Sequence, residues 1–147
     1  MARVRDVSIP DPVLDPRAVR FGQAVVAVAL LASFVFQQPV GVPVTAVVVA
    51  LGVAFGPGAD PLRQVFDTIV APRLAPPTRS ESRRLVRLGS LVVVVVLTLA
   101  TAAFTADIGA IGWLLALAVA GVSAIAATTG TDLVRRMLLG LQRRAED

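Results

Sequence analysis

The chain has 147 residues, 56% of them hydrophobic, a mean hydropathy of +0.79 and a net charge of +4. The apolar content lies above that of an ordinary soluble domain, about 45–50%, and falls in runs of membrane-spanning length. With no cysteine and no histidine, disulfides, thiolate chemistry and the commonest general base and metal ligand are all excluded.

All 14 basic residues are arginines, in three clusters. Arg3, Arg5, Arg17 and Arg20 form the first, Arg63, Arg73, Arg79, Arg83, Arg84 and Arg87 the second, and Arg135, Arg136, Arg143 and Arg144 the third. The polar breaks Gln37–Gly41 and Thr105–Asp107 hold none. Basic clusters that alternate with uncharged breaks between apolar runs mark a polytopic membrane protein with its arginines on one side. They flank lipid-sized segments, so the positive charge is matched to anionic headgroups and not to nucleic acid.

In chain order, residues 1–14 read as a cytoplasmic tail broken by Pro10 and Pro12. Met-Ala-Arg-Val-Arg is followed by polar, proline-punctuated sequence, which argues against a cleaved signal peptide. Asp15-Pro16 is a helix start, with a capping carboxylate and a proline suited to the first helical position. A first span is expected over about 19–36, a tight turn at Gln37–Gly41, and a second, short span over about 42–55. Gly56-Pro57-Gly58 ends it.

Residues 57–84 form a cytoplasmic loop. Asp60-Pro61 repeats the helix start, and Leu62, Val65, Phe66, Ile69 and Val70 recur at helical spacing opposite Arg63, Gln64, Asp67 and Thr68. This predicts a short amphipathic helix, either lying in the headgroup plane or packed on the ends of the spans. Pro76-Pro77 is a stiff linker, and Thr78-Arg79-Ser80-Glu81 fits a capping box. The valine-rich run that follows favours strand by propensity, but its length selects a helix, expected over 85–104. Asp107 is placed to cap a fourth span over 108–127. Residues 131–147 read as a basic amphipathic surface segment. The expected fold is therefore all-α: a 15–130 membrane domain of four transmembrane helices, both termini cytoplasmic, in a bacterial cell (inner) membrane. Four crossings put every arginine on one face; two or three cannot.

The pattern Arg-x-Val-Arg-apolar-Gly occurs at Arg17–Gly22 and again at Arg84–Gly89, 67 residues on. Each copy opens a helical hairpin, as in a parallel repeat of two hairpins. Convergence on basic helix starts gives the same pattern. No Asp, Glu or Arg lies in the middle of a span, where a proton or ion path would place one. Gln23, Ser33, Thr45, Thr98 and Ser123 are the polar side chains at depth, read either as a small polar path or as hydrogen bonds to backbone and neighbouring helices. Gly52 and Gly56, and Ala116, Ala120 and Ala124, put small residues at spacing four, a pattern for close helix packing. Arg17, Arg20, Arg84 and Arg87 are the candidate anion-binding or headgroup-binding residues, each pair projecting from one side of a helix. Their plainer role is to contact lipid phosphates and set topology. Trp113 reads as an interfacial anchor.

Three segments carry a family resemblance: Asp15-Pro16-Arg17-Ala18-Val19-Arg20-Phe21-Gly22-Gln23, then Ala54-Phe55-Gly56-Pro57, then Ala71-Pro72-Arg73-Leu74-Ala75-Pro76-Pro77. On these the chain resembles DUF4395, a family of bacterial integral membrane proteins. The resemblance implies a fold and a location, and no reaction. Some members are associated with thioredoxin-like or sulfur-transfer proteins, and members commonly carry a Phe-Cys-x-Gly-Cys segment after the last span. Here Asp132 and Arg135 stand where those cysteines would be, so a thiol-redox role does not carry over. The expected function is that of a non-enzymatic scaffold or accessory subunit without a cofactor or metal. It engages anionic lipid, and a membrane protein partner or a second copy, through its arginine face. The alternative is a small oligomeric transporter or pore, for instance for a sulfur-containing solute.

Overall fold

The structure is a computed structural model that describes residues 15–56, 58–74, 83–129 and 143–144. The N-terminal tail, the Thr78–Glu81 capping box and nearly all of the C-terminal segment, including Asp132 and Arg135, lie outside the described residues. The described residues form helices and no strand.

Helix α1 spans Pro16–Val35, α2 Gly41–Phe55, α3 Pro61–Val65, α4 Arg83–Thr105 and α5 Gly109–Thr129. The two Asp-Pro starts work as their sequence predicts. Asp15 accepts a hydrogen bond from the Arg17 N–H at 2.9 Å, and Asp60 accepts from the Leu62 and Arg63 N–H groups at 3.0 and 3.4 Å. Both satisfy backbone donors that a first helical turn leaves open. Helices α1, α4 and α5 are long and apolar enough to cross a membrane; α2, at 15 residues, is shorter.

Short turns make α1/α2 and α4/α5 antiparallel hairpins, and the two turns share one construction. In the first, Gln37 has φ 53° and the Gln38 N–H bonds to the Ser33 carbonyl at 2.8 Å. In the second, Asp107 has φ 60° and the Ile108 N–H bonds to the Ala103 carbonyl at 2.9 Å. This backward bond over a left-handed residue closes the open carbonyls of a helix C-terminus. Asp107 thus occupies the turn itself and does not have the extended backbone of an N-terminal cap; α5 starts two residues later. The turns are 70 residues apart and the two Arg-x-Val-Arg-apolar-Gly copies 67, so the stretch from motif to turn is three residues longer in α4 than in α1.

The helices form a ring in which α1 packs on α5, α5 on α4, α4 on α2, and α2 more lightly on α1. The core is built mainly on Leu30, Val42, Leu97, Ala100, Ala116 and Ala120, with Ser33, Thr45 and Ser123 as its buried polar residues among those described. Outward-facing residues are apolar too: Val35, Val92, Leu114 and Val122 are each more than 60% exposed. A helical bundle in water covers such a surface with charge, whereas one in hydrocarbon has no need to.

The ends of the bundle differ. At one end Trp113 of α5 meets Phe34 of α1 edge-on, with ring centroids at 5.3 Å, and Phe104 of α4 at 5.0 Å. Trp113 is half-buried in this cluster and so ties three helices together rather than standing only as a surface anchor. At the same end a Cβ on Gly41 would collide with the Ser33 side chain, so α1 and α2 start in close contact. The helices then diverge, and α3 occupies the gap at the far end. Phe66 is buried against Phe21, with centroids 5.7 Å apart, and Leu62 lies beside Gly22. After α3 the chain makes a π-helical turn, Phe66–Val70, and a 3-10 turn, Ala71–Arg73. Val65 and Ile69, expected on the apolar face, are 44% and 55% exposed. Leu62 and Phe66, one turn apart, point in; Val65 lies on the outer side ahead of the wide turn, which shifts the register after Phe66 so that Ile69 points out and Val70 is half-buried.

Candidate functional site

The splay of α1 from α2 leaves an open cavity of about 280 Å³ at the end remote from Trp113. Helix α1 contributes Gly22, Gln23 and Val26 to its wall, α2 Val49, Gly52 and Val53, and α4 Arg87, Ser90 and Val93. Asp60, Leu62 and Arg63 close it from α3. The walls are thus apolar at depth and polar at the mouth.

Each ionic group at the mouth has a distinct setting. Asp60 is spent on the α3 cap, and its carboxyl group is pressed against α2: a Cβ on Gly52 would stand 2.9 Å from Asp60 Cγ. Arg63 pairs with Asp67 one turn on, Nε to Oδ2 3.6 Å. Arg87 is exposed and has no ion-pair partner among the described residues. Gln23 and Ser90 make no side-chain hydrogen bond among the described residues. The other polar residues at depth differ. Ser33, Thr45 and Thr98 each donate a hydroxyl to the carbonyl four residues back, at 2.7, 2.8 and 2.7 Å. Ser123 is 1% exposed and its hydroxyl has no partner among the described residues.

Of the four arginines that the sequence singles out, Arg87 alone lines the cavity. Arg17 is held near Asp15, Nε to Oδ1 3.6 Å, while Arg20 and Arg84 are exposed. Gly52 receives the side chain of Asp60, the cap of α3, and Gly56, with φ 81°, ends α2. Ala116 and Ala120 are buried in the core and Ala124 is half-buried. Gln23 and Ser90 had a signal in the sequence. Each follows the glycine of one Arg-x-Val-Arg-apolar-Gly copy, so both copies continue with a polar residue, and both of these residues line one cavity.

The family described as Domain of unknown function (DUF4395) matches residues 14–133. No curated protein and no solved structure matches the chain. The match covers most of the sequence, and the chain belongs to the DUF4395 family.

Proposed function

We propose that this DUF4395 chain is a four-span membrane protein of the bacterial cell (inner) membrane, with both termini cytoplasmic. In this reading it acts without catalysis, as a scaffold or accessory subunit. The arginine-bearing end meets anionic headgroups and a partner, either another membrane protein or a second copy. The observation that carries the reading is the separation of ends. Phe34 and Phe104 share Trp113, so the C-terminal ends of α1 and α4 lie together, and Arg17, Arg20, Arg84 and Arg87 all belong to the opposite end. Basic residues on one side set orientation. The second span is α2, and what supports its crossing is charge parity: without it the loop arginines change sides. A reporter fused after Gln38 or Asp107 reads as external if this is right, and a cytoplasmic signal at either site overturns it. The mass of the solubilised protein with its co-purifying partners tests the accessory role, and a stoichiometric partner supports it.

We read the hairpins as duplicated. What supports this is the recurrence of the left-handed turn residue and its backward hydrogen bond at an offset of 70 residues. Buried positions recur at the same offset, Ala27 with Leu97, Leu30 with Ala100 and Ala46 with Ala116.

A second reading, a small oligomeric transporter or pore, is favoured by the cavity that opens at the arginine end. Against it, Leu30, Val42 and Leu97 are fully buried, and the aromatic cluster lies beyond them. Solute flux into liposomes would favour the transporter over the scaffold.

A further inference from the structure

We propose that the cavity is a discrete binding site for one anionic phospholipid of the surrounding membrane. The head lies at Arg87, Ser90 and Gln23, and the start of the chain lies along Val26, Val49 and Val93. Three observations converge on that chemistry. Arg87 is the lining cation left without an ion-pair partner among the described residues, since Arg63 is paired with Asp67, while the Asp60 carboxylate lies against Gly52 and is bonded to two backbone N–H groups of α3. A guanidinium, an amide and a hydroxyl together offer N–H and O–H donors to phosphate oxygens. Gln23 and Ser90 have no side-chain hydrogen bond among the described residues, so their donors are available to a ligand. The deeper wall is aliphatic and suits methylene groups but not a bare ion.

Size limits what enters. The volume of about 280 Å³ is roughly nine water volumes at ~30 Å³ each, room for a headgroup and the beginning of a chain. The rest of the lipid remains in the bilayer beside the bundle. The site is built by both copies of the repeated motif, through Gln23 on α1 and Ser90 on α4, while Arg20, the counterpart of Arg87, lies outside it. That asymmetry gives the inference its test. It rests on the membrane setting proposed above, but not on the orientation or the accessory role.

The full chain in a neutral maltoside detergent is titrated with dihexanoyl-phosphatidylglycerol, dihexanoyl-phosphatidylcholine or inorganic phosphate, and binding is read by calorimetry and native mass spectrometry. The expected result is saturable binding of one phosphatidylglycerol, at least about tenfold tighter than phosphatidylcholine, with no displacement by phosphate at equal concentration. Arg87→Gln weakens it by about tenfold, the loss of one charge-assisted hydrogen bond, Arg87→Lys recovers part of that, and Arg20→Gln, outside the cavity, costs no more than about twofold. Ser90→Leu and Gln23→Leu, which fill or depolarise the cavity with every arginine in place, also abolish specific binding and stand in if Arg87→Gln does not fold. Equal losses in Arg20→Gln and Arg87→Gln would reduce the effect to diffuse attraction and overturn the site. Displacement by phosphate would identify a free-anion site instead, and equal binding of the two lipids would remove anion recognition. Reporter fusions that contradict the topology would leave these affinities untouched, so the two failures are distinguishable.

Discussion

The carboxyl group of Asp60 fills the place where a side chain on Gly52 would start, 2.9 Å from Cγ and 3.0 Å from Oδ2 to the ideal Cβ position. One residue thus starts α3 and keys it onto α2. Gly52→Ala must displace a carboxylate that two backbone N–H groups hold in place. The expected cost is about 1 kcal/mol, the value of a lost cap. It is checked by thermal unfolding in detergent. Asp60→Ala on its own costs about the same, and the double variant costs little more than either, because both remove one interaction. Additive losses would contradict the shared origin.

Trp113 is the chain's single tryptophan, so its emission reports the aromatic end alone. Trp113→Leu keeps an apolar side chain but removes two edge contacts, to Phe34 and Phe104. At about 0.5–1.5 kcal/mol per aromatic pair, the expected loss is about 1–3 kcal/mol in a mixed-micelle unfolding titration. Phe34→Leu and Phe104→Leu, each removing one pair, should also shift the Trp113 emission. An unmoved spectrum in either would show that the ring does not bridge the helices.

Ser123 carries a buried hydroxyl with no hydrogen-bond partner among the described residues. Ser123→Ala removes the unsatisfied group with almost no change of shape. The variant should be more stable by about 1 kcal/mol. A loss of stability in the same unfolding assay would mean that the hydroxyl is satisfied in the bilayer-embedded protein.

The two interhelical turns depend on left-handed backbone at Gln37 and Asp107. A β-branched residue is poorly tolerated there, so Gln37→Val and Asp107→Val should each destabilise by about 1–2 kcal/mol. Similar penalties at the two positions are expected from their equivalent backbone bonding, and a penalty at only one would argue against their equivalence.

The all-helical character was legible because the apolar runs exceed any strand, and both Asp-Pro starts because a capping side chain and a fixed φ act locally. The inner face of α3 was not legible. Sequence periodicity assumes one helical pitch, and the π-helical turn from Phe66 changes it, which turns Ile69 outward; Val65, also exposed, lies ahead of that turn. The candidate site was legible only in part. Arg87 and Gln23 attract notice in the sequence, as an arginine pair member and as a polar residue at depth. What joins them to Ser90 and Asp60 is the divergence of α1 from α2, set by the close start at Gly41 and Ser33 and by the insertion of Phe66. Neither is encoded in a local pattern. Asp107 shows the reverse error: the residue type suits a cap, but the backward bond from Ile108 fixes its backbone as a turn.

The shortness of α2 bears on the bilayer itself. Its 15 residues extend about 22 Å, against a hydrocarbon slab of about 30 Å. On the four-span proposal, a crossing segment that brief favours local thinning of the bilayer beside it, at a modest cost per ångström of mismatch. Since α2 also forms one wall of the cavity, that thinning would draw phosphates inward to the very mouth that Arg87 guards.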